Sequence, residues 1–207
     1  MATEIEFKWN ANSARAFFKM QGALRQVKTH LVSACTWKIT DVYLDTPARD
    51  FEEKKIAFRV RHTGDNWEAT FKTRTEIVAG KAVRREETCT LSGVKNLAQA
   101  LEFLRRKKNW KGLNLQNLSP LFTLKNHRQT YLISYHQTKA ELALDTCTLW
   151  VCGRRVCFKE IELEYKSGVR KDFEVLGAQL TQQSQLPRAR ISKVKTALLL
   201  RGLWGEK

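Results

Sequence analysis

Residues 156–168 read VCFKEIELEYKSG, in which Glu160, Glu162 and Glu164 alternate with Ile161, Leu163 and Tyr165. A strand turns successive side chains to opposite faces, so this run is a strand with three carboxylates on one side and three apolar groups on the other. An alternating strand ordinarily wets its polar face. Here, however, like charges follow one another with no base between them, and neighbouring like charges in a sheet repel. A divalent cation with oxygen ligands, such as magnesium or manganese, would compensate such a row.

The same period recurs along the chain. Glu4, Glu6 and Lys8 oppose Ile5, Phe7 and Trp9, and the run DVYLDTP around Tyr43 reads as a strand ending in a turn. The segment IAFRVRHTGDNWEATFKTR reads as a hairpin turning at GDN, with Arg59 and Arg61 on one face, and Lys72 and Arg74 repeating that pattern beyond the turn. AVRREETCTL sets Arg84, Glu86 and Thr88 against Arg85, Glu87, Cys89 and Leu91, while HRQTYLISYHQ and AELALDTCTLW pair as a second hairpin. About eight strands result, with helical periodicity near residues 11–28, 94–108, 170–184 and 191–200. If the charged faces point inward and the sheet closes, helices can pack on the apolar outer faces and no strand edge remains. The expectation is an α+β fold: a closed eight-stranded antiparallel barrel with helices packed on the outside. Acids able to hold metal would share its interior with Arg and Lys side chains suited to phosphate oxygens. No internal repeat, low-complexity stretch or Pro/Gly-rich linker interrupts the chain, so residues 1–207 are expected to form a single domain.

Composition narrows the partner. The formal net charge is +16, which attracts polyanions. No C2H2 finger, RRM aromatic motif or KH loop is present, so nucleic acid is not the expected partner, and a short polyphosphate satisfies the charge equally well. The run Arg105, Arg106, Lys107 and Lys108 before Trp110 reads as cations at a helix C-terminus; its other reading is a basic module binding RNA or polyphosphate. No apolar run approaches the roughly 18 residues of a membrane span, and MATEIEFKWN lacks the form of a signal peptide, so a cytoplasmic location is expected. The five cysteines are odd in number and lack a disulfide or zinc spacing, which predicts buried apolar thiols in a reducing compartment. The four histidines show no ligand spacing and read as surface or structural groups.

The opening Glu4-Ile5-Glu6-Phe7-Lys8 resembles the ExExK signature of the CYTH superfamily, the triphosphate tunnel metalloenzymes. The resemblance continues in order through Tyr43-Leu44-Asp45-Thr46-Pro47, Phe58-Arg59-Val60-Arg61, Thr70-Phe71-Lys72, Arg84-Arg85-Glu86, Arg128, Asp145, Glu160-Ile161-Glu162-Leu163-Glu164 and Ser192-Lys193. It departs after Lys193, where Val-Lys-Thr stands in place of a base and glycine. The resemblance implies an eight-stranded tunnel. Glu4, Glu6, Asp145, Glu160 and Glu162 would hold one or two Mg2+ or Mn2+ ions there, and Lys8, Arg59, Arg61, Lys72, Arg84, Arg128 and Lys193 would grip a triphosphate. Glu4, Glu6, Lys8, Glu160 and Glu162 would carry the catalysis. The Arg84/Glu86 register could shift to Arg85/Glu87, and Glu164 could lie at the tunnel mouth. WEATFKTRTEIVAGKAVRREE most resembles the bacterial inorganic triphosphatases, which implies hydrolysis of tripolyphosphate. A class IV adenylate cyclase and a thiamine triphosphatase share the same phosphate grip and are the alternatives. A closed barrel needs no oligomeric partner.

Overall fold

The computed structural model describes residues 2–11, 13–73, 76–78, 81–107, 109–110, 112–189 and 191–205; Arg74 and Lys108 lie outside them. In chain order the elements are β1 Ala2–Ala11, α1 Ala14–Gln26, β2 His30–Asp45, α2 Asp50–Glu53, β3 Ala57–Thr63, β4 Asn66–Lys72, β5 Glu76–Val78, β6 Lys81–Thr90, α3 Leu97–Lys107, β7 Asn109–Trp110, β8 Leu113–Asn114, β9 Ser119–Tyr135, β10 Thr138–Val151, β11 Arg154–Gly168, α4 Arg170–Ser184 and α5 Lys193–Gly205.

Eight strands close into a ring in the order β1, β11, β10, β9, β2, β3, β4, β6, and β6 pairs back onto β1. Every pairing is antiparallel. Closure follows from the alternation. The apolar faces turn outward and are covered by helices, which leaves the charged faces inside. Ile5, Phe7 and Trp9 of β1 pack with Met20 of α1 and with Phe173 and Leu176 of α4. Val42, Phe58, Val60 and Phe71 pack with Leu104 of α3 and with Trp110. Gly177 lets α4 lie against β1, because a Cβ there would fall 2.1 Å from the Phe7 ring.

Three features differ from what the alternation alone suggests. First, β2 begins at His30, well before Tyr43. Residues 30–38 are exposed, so no buried face imposes a period on them. Second, the four-residue α2 follows the turn after β2. It is held by Asp45, whose Oδ1 accepts from the backbone N–H groups of Thr46 at 2.7 Å and Phe51 at 2.9 Å, while Oδ2 accepts from Glu52 at 3.0 Å. Third, α5 packs against the inner wall: Ala197 joins Tyr43, Phe122, Leu124 and Leu149, and Val194 and Leu198 line the cavity.

The cysteines correct an expectation. All five are free, but only Cys147 is buried; Cys35, Cys152 and Cys157 are exposed and Cys89 is half-buried. Cys35 lies in the exposed part of β2, and Cys152 sits at the β10–β11 turn, where the chain is too near solvent to bury a small apolar group. Among the described residues no helix is long and apolar enough to cross a membrane.

Candidate active site

A cavity of about 1030 Å³ runs through the barrel. Cross-strand registers determine what faces it. Lys8 stands opposite Glu162, Glu4 opposite Arg84, Asp41 opposite Arg61, Lys72 opposite Glu86, and Asp145 lies between Arg128 and Glu160. Directly opposed residues share a face, so each pair brings opposite charges, or a row of carboxylates, to the interior.

One wall is acidic. Asp145, Glu160 and Glu162 are buried, and each offers a carboxylate oxygen within 4.8 Å of the others. Arg128 binds both oxygens of Asp145, Nε to Oδ1 at 2.7 Å and Nη2 to Oδ2 at 2.6 Å, and Nη2 also reaches Glu162 Oε2 at 2.6 Å. Lys8 Nζ donates to Glu162 Oε1 at 2.8 Å. Lys193, at the start of α5, donates to Asp145 Oδ2 at 2.9 Å, to Glu162 Oε1 at 2.8 Å and to Glu160 Oε2.

The facing wall is basic. Arg84 Nε donates to Glu4 Oε2 at 2.5 Å, and its Nη2 lies 3.1 Å from Glu6 Oε1. Lys72 Nζ lies 2.5 Å from Glu86 Oε2 and 3.3 Å from Glu4 Oε2. Arg61 binds Asp41 through two nitrogens, and Arg59 Nη1 adds a third contact at 3.3 Å. Arg59 keeps a buried Nε–H without a partner.

Burial and neighbouring charge compete at each group. Burial raises Glu4, but Lys72 and Arg84 outweigh it and hold its carboxyl far below the usual range. Glu162 and Asp145 follow the same balance, with burial overcome first by Lys193 and then by its other basic neighbours. At Glu160 burial prevails over Lys193 and Lys8, and Glu162 adds to the rise. Lys72 moves the other way: burial, then Arg59 and Arg84, bring it down to about 8 despite Glu4 and Glu86. Burial opposes charge on Lys8 and Lys193, yet their carboxylate neighbours raise both.

Of the twelve residues singled out from sequence, Glu4, Lys8, Arg59, Arg61, Lys72, Arg84, Arg128, Glu162 and Lys193 line the cavity. Glu6, Asp145 and Glu160 are buried in contact with those cations. Asp145, Glu160 and Glu162 converge within 4.8 Å, Glu4 and Glu6 are engaged by Arg84, and Lys8 bridges Glu6 at 3.2 Å to Glu162 at 2.8 Å. Arg84 lies inside and Arg85 is exposed, so in this structure the register places Arg84 and Glu86 at the cavity. Glu87 also borders the cavity and accepts from the indole of Trp110 at 2.7 Å. Glu164 lines the cavity, and Lys166 Nζ lies 3.0 Å from it.

Sequence reasoning missed Asp41, which is 2% exposed and orients two arginines. Its period with Tyr43 was visible in DVYLD, but its role depends on the β2–β3 register. It also passed over Asn126, a buried amide lining the cavity between Arg128 and Leu124.

The Asp145, Glu160 and Glu162 set supplies only oxygen donors in a buried pocket, the chemistry that suits Mg2+ or Mn2+. The residues present therefore fit the metal that the fold implies.

The closed barrel encloses opposed acidic and basic inner walls, and a profile of the CYTH domain matches residues 2–198. The chain belongs to the CYTH domain family. It is 26% identical over 160 residues to the inorganic triphosphatase of Haemophilus influenzae, a match covering 77% of this chain and 45% of that protein. The chain thus spans less than half the length of that relative. Among solved structures, HpAC1 of Hippeastrum, described as an adenylyl cyclase candidate with a dominant triphosphatase activity, superposes with a TM-score of 0.69 at 20% identity over 95% of both chains. The Mimivirus capping enzyme triphosphatase superposes with a TM-score of 0.56 at 11% identity, covering 88% of this chain and 89% of that one.

Proposed function

We propose that this protein is a metal-dependent hydrolase of a triphosphate, with inorganic tripolyphosphate cleaved to pyrophosphate and phosphate as its reaction. The observation that carries this reading is the enclosure of Arg59, Arg61, Lys72 and Arg84 in one cavity with Glu162, whose carboxylate converges with those of the buried Asp145 and Glu160. The relative named inorganic triphosphatase supports the choice of substrate.

The chain's own residues would do most of the work by position. Arg59 and Arg61, held in orientation by Asp41, present planar forks to phosphate oxygens, and Lys72 adds a point charge. Arg84 adds a guanidinium to the basic wall, and Lys8 an ammonium beside Glu162. Asp145, Glu160 and Glu162 would hold the divalent cation, with Glu4 and Glu6 keeping Arg84 and Lys8 in place. When bound, Mg2+ or Mn2+ would neutralise charge on phosphate oxygens and acidify a water for attack. No side-chain nucleophile is needed.

A second reading rests on Ile56, Leu124 and Leu198, apolar groups in the cavity lining that inorganic phosphate does not require. They favour an organic triphosphate, as in a thiamine triphosphatase or an adenylate cyclase.

The test is phosphate release from tripolyphosphate, ATP and thiamine triphosphate, each with Mg2+, Mn2+ or chelator. Rapid metal-dependent release from tripolyphosphate alone is expected. Release only from an organic triphosphate moves the assignment to the second reading, and a cyclic product from ATP identifies a cyclase. No reaction with any of them overturns both hydrolase readings.

A further inference from the structure

Lys193 has an unusual set of partners. An ammonium has three N–H donors, and this one spends them on three different carboxylates, Asp145, Glu160 and Glu162. These are the acids that converge within 4.8 Å as a candidate cation set. The lysine nitrogen therefore occupies the space between the oxygens that a divalent cation would need.

Charge counting sharpens the conflict. Counted as ionised, Glu4, Glu6, Asp145, Glu160 and Glu162 supply five negative charges, and the cations paired with them, Lys8, Lys72, Arg84, Arg128 and Lys193, supply five positive ones. Adding a divalent cation to a buried set that is already neutral leaves an uncompensated double charge, which is costly. Either a resident cation leaves or an anion arrives. Arg128 is anchored by a bidentate pair, and Lys8 sits in the middle of β1. Lys193 is the first residue of α5, whose Val194 and Leu198 border the cavity. Of Lys8, Arg128 and Lys193, only Lys193 is borne by the end of a helix rather than by the interior of a strand.

We propose that Lys193 competes with the divalent cation for Asp145, Glu160 and Glu162, and that triphosphate, by drawing Lys193 onto its own oxygens, makes room for the metal. Metal and triphosphate then bind with positive coupling, and the start of α5 moves as they do. This rests on the metal-dependent triphosphatase reading. Its test, however, measures metal binding to the substrate-free protein, so it can fail or succeed apart from turnover.

The experiment is a Mn2+ titration of substrate-free protein, with free Mn2+ read by electron paramagnetic resonance. Lys193→Met removes the charge while keeping much of the length, and is expected to bind Mn2+ about tenfold more tightly than wild type, within the usual range of coupling between sites. Lys193→Arg keeps a cation and is expected to stay near wild type. Equal or weaker Mn2+ binding by Lys193→Met overturns the proposal, as does the absence of binding by both proteins. Hydrogen exchange on the wild type provides a second arm that needs no variant. Saturating Mn2+ is expected to speed exchange in the first turn of α5 several-fold, and unchanged protection there counts against the proposal. Should phosphate-release assays show no activity while both arms succeed, the competition stands and the hydrolase reading falls.

Discussion

Asp41 and Arg61 face each other across the β2–β3 ladder and join through two hydrogen bonds, Nε to Oδ1 at 2.7 Å and Nη2 to Oδ2 at 2.9 Å. Arg59 shares the same carboxylate. Burial raises the Asp41 carboxyl, but Arg59 and Arg61 outweigh it and hold it at about 2, below its ordinary 3.8. A depressed carboxylate contributes stability that is fully present above pH 3.8 and lost as pH falls through about 2. Asp41→Asn is therefore expected to cost about 2 kcal/mol at neutral pH and to unfold with a flatter pH dependence below pH 4. Urea unfolding at several pH values checks this; parallel curves for variant and wild type would refute it.

Burial, with Arg59 and Arg84 nearby, brings Lys72 down to about 8. As pH rises through that value the side chain loses its charge, so the free protein grips a triphosphate less well. In a pH profile of kcat/KM, which reports the free enzyme, wild type is expected to decline above pH 8. Lys72→Arg, charged throughout, should postpone that decline. An identical alkaline limb in both proteins would show that another group controls it.

Arg84 and Arg85 provide a contrast between adjacent residues. Arg84 meets Glu4 and Glu6 inside, while Arg85 is exposed. Arg84→Ala is expected to lower kcat/KM by about a hundredfold, the scale of losing a charge-stabilising donor. Arg85→Ala should stay within about twofold, in the range of neutral surface changes. Steady-state kinetics on the two variants decide the register of β6; a larger loss for Arg85→Ala would reverse it.

Among the acids, Glu4→Gln and Glu162→Gln are each expected to abolish metal-dependent turnover with circular dichroism unchanged, since each removes charge at the centre of the network. Arg59→Ala should mainly weaken triphosphate binding, seen by calorimetry, because its Nε–H has no protein partner. Wild-type activity in both Glu variants, or unchanged affinity in Arg59→Ala, would contradict these roles.

Packing outside the tunnel is tested at Gly177. A methyl there would lie 2.1 Å from the Phe7 ring, which is itself 5% exposed and cannot swing into solvent. Gly177→Ala is expected to cost about 1–3 kcal/mol by overpacking. Adding Phe7→Leu should cost less than the sum of the two changes, a coupling that a double-mutant cycle in denaturant measures.

Much of this protein was written in its alternation. Glu4-Glu6-Lys8 and Glu160-Glu162-Glu164 carry charge on one strand face against apolar neighbours. That pattern is compatible with a closed barrel, because a wholly charged face can be buried where opposite charges meet it, and the family resemblance implied the closure. The twelve residues that the family resemblance singled out all stand in or against the cavity, eleven of them on strands and Lys193 on α5. Segments without a buried face carried no such signal, which is why residues 30–38 of β2 and the exposed cysteines were not legible. Which charges meet is a matter of register between strands far apart in the chain, and no local pattern encodes it. Only the folded ladder sets Asp41 against Arg61, engages Glu4 and Glu6 with Arg84, and brings Lys193 at the start of α5 onto Asp145, 48 residues away.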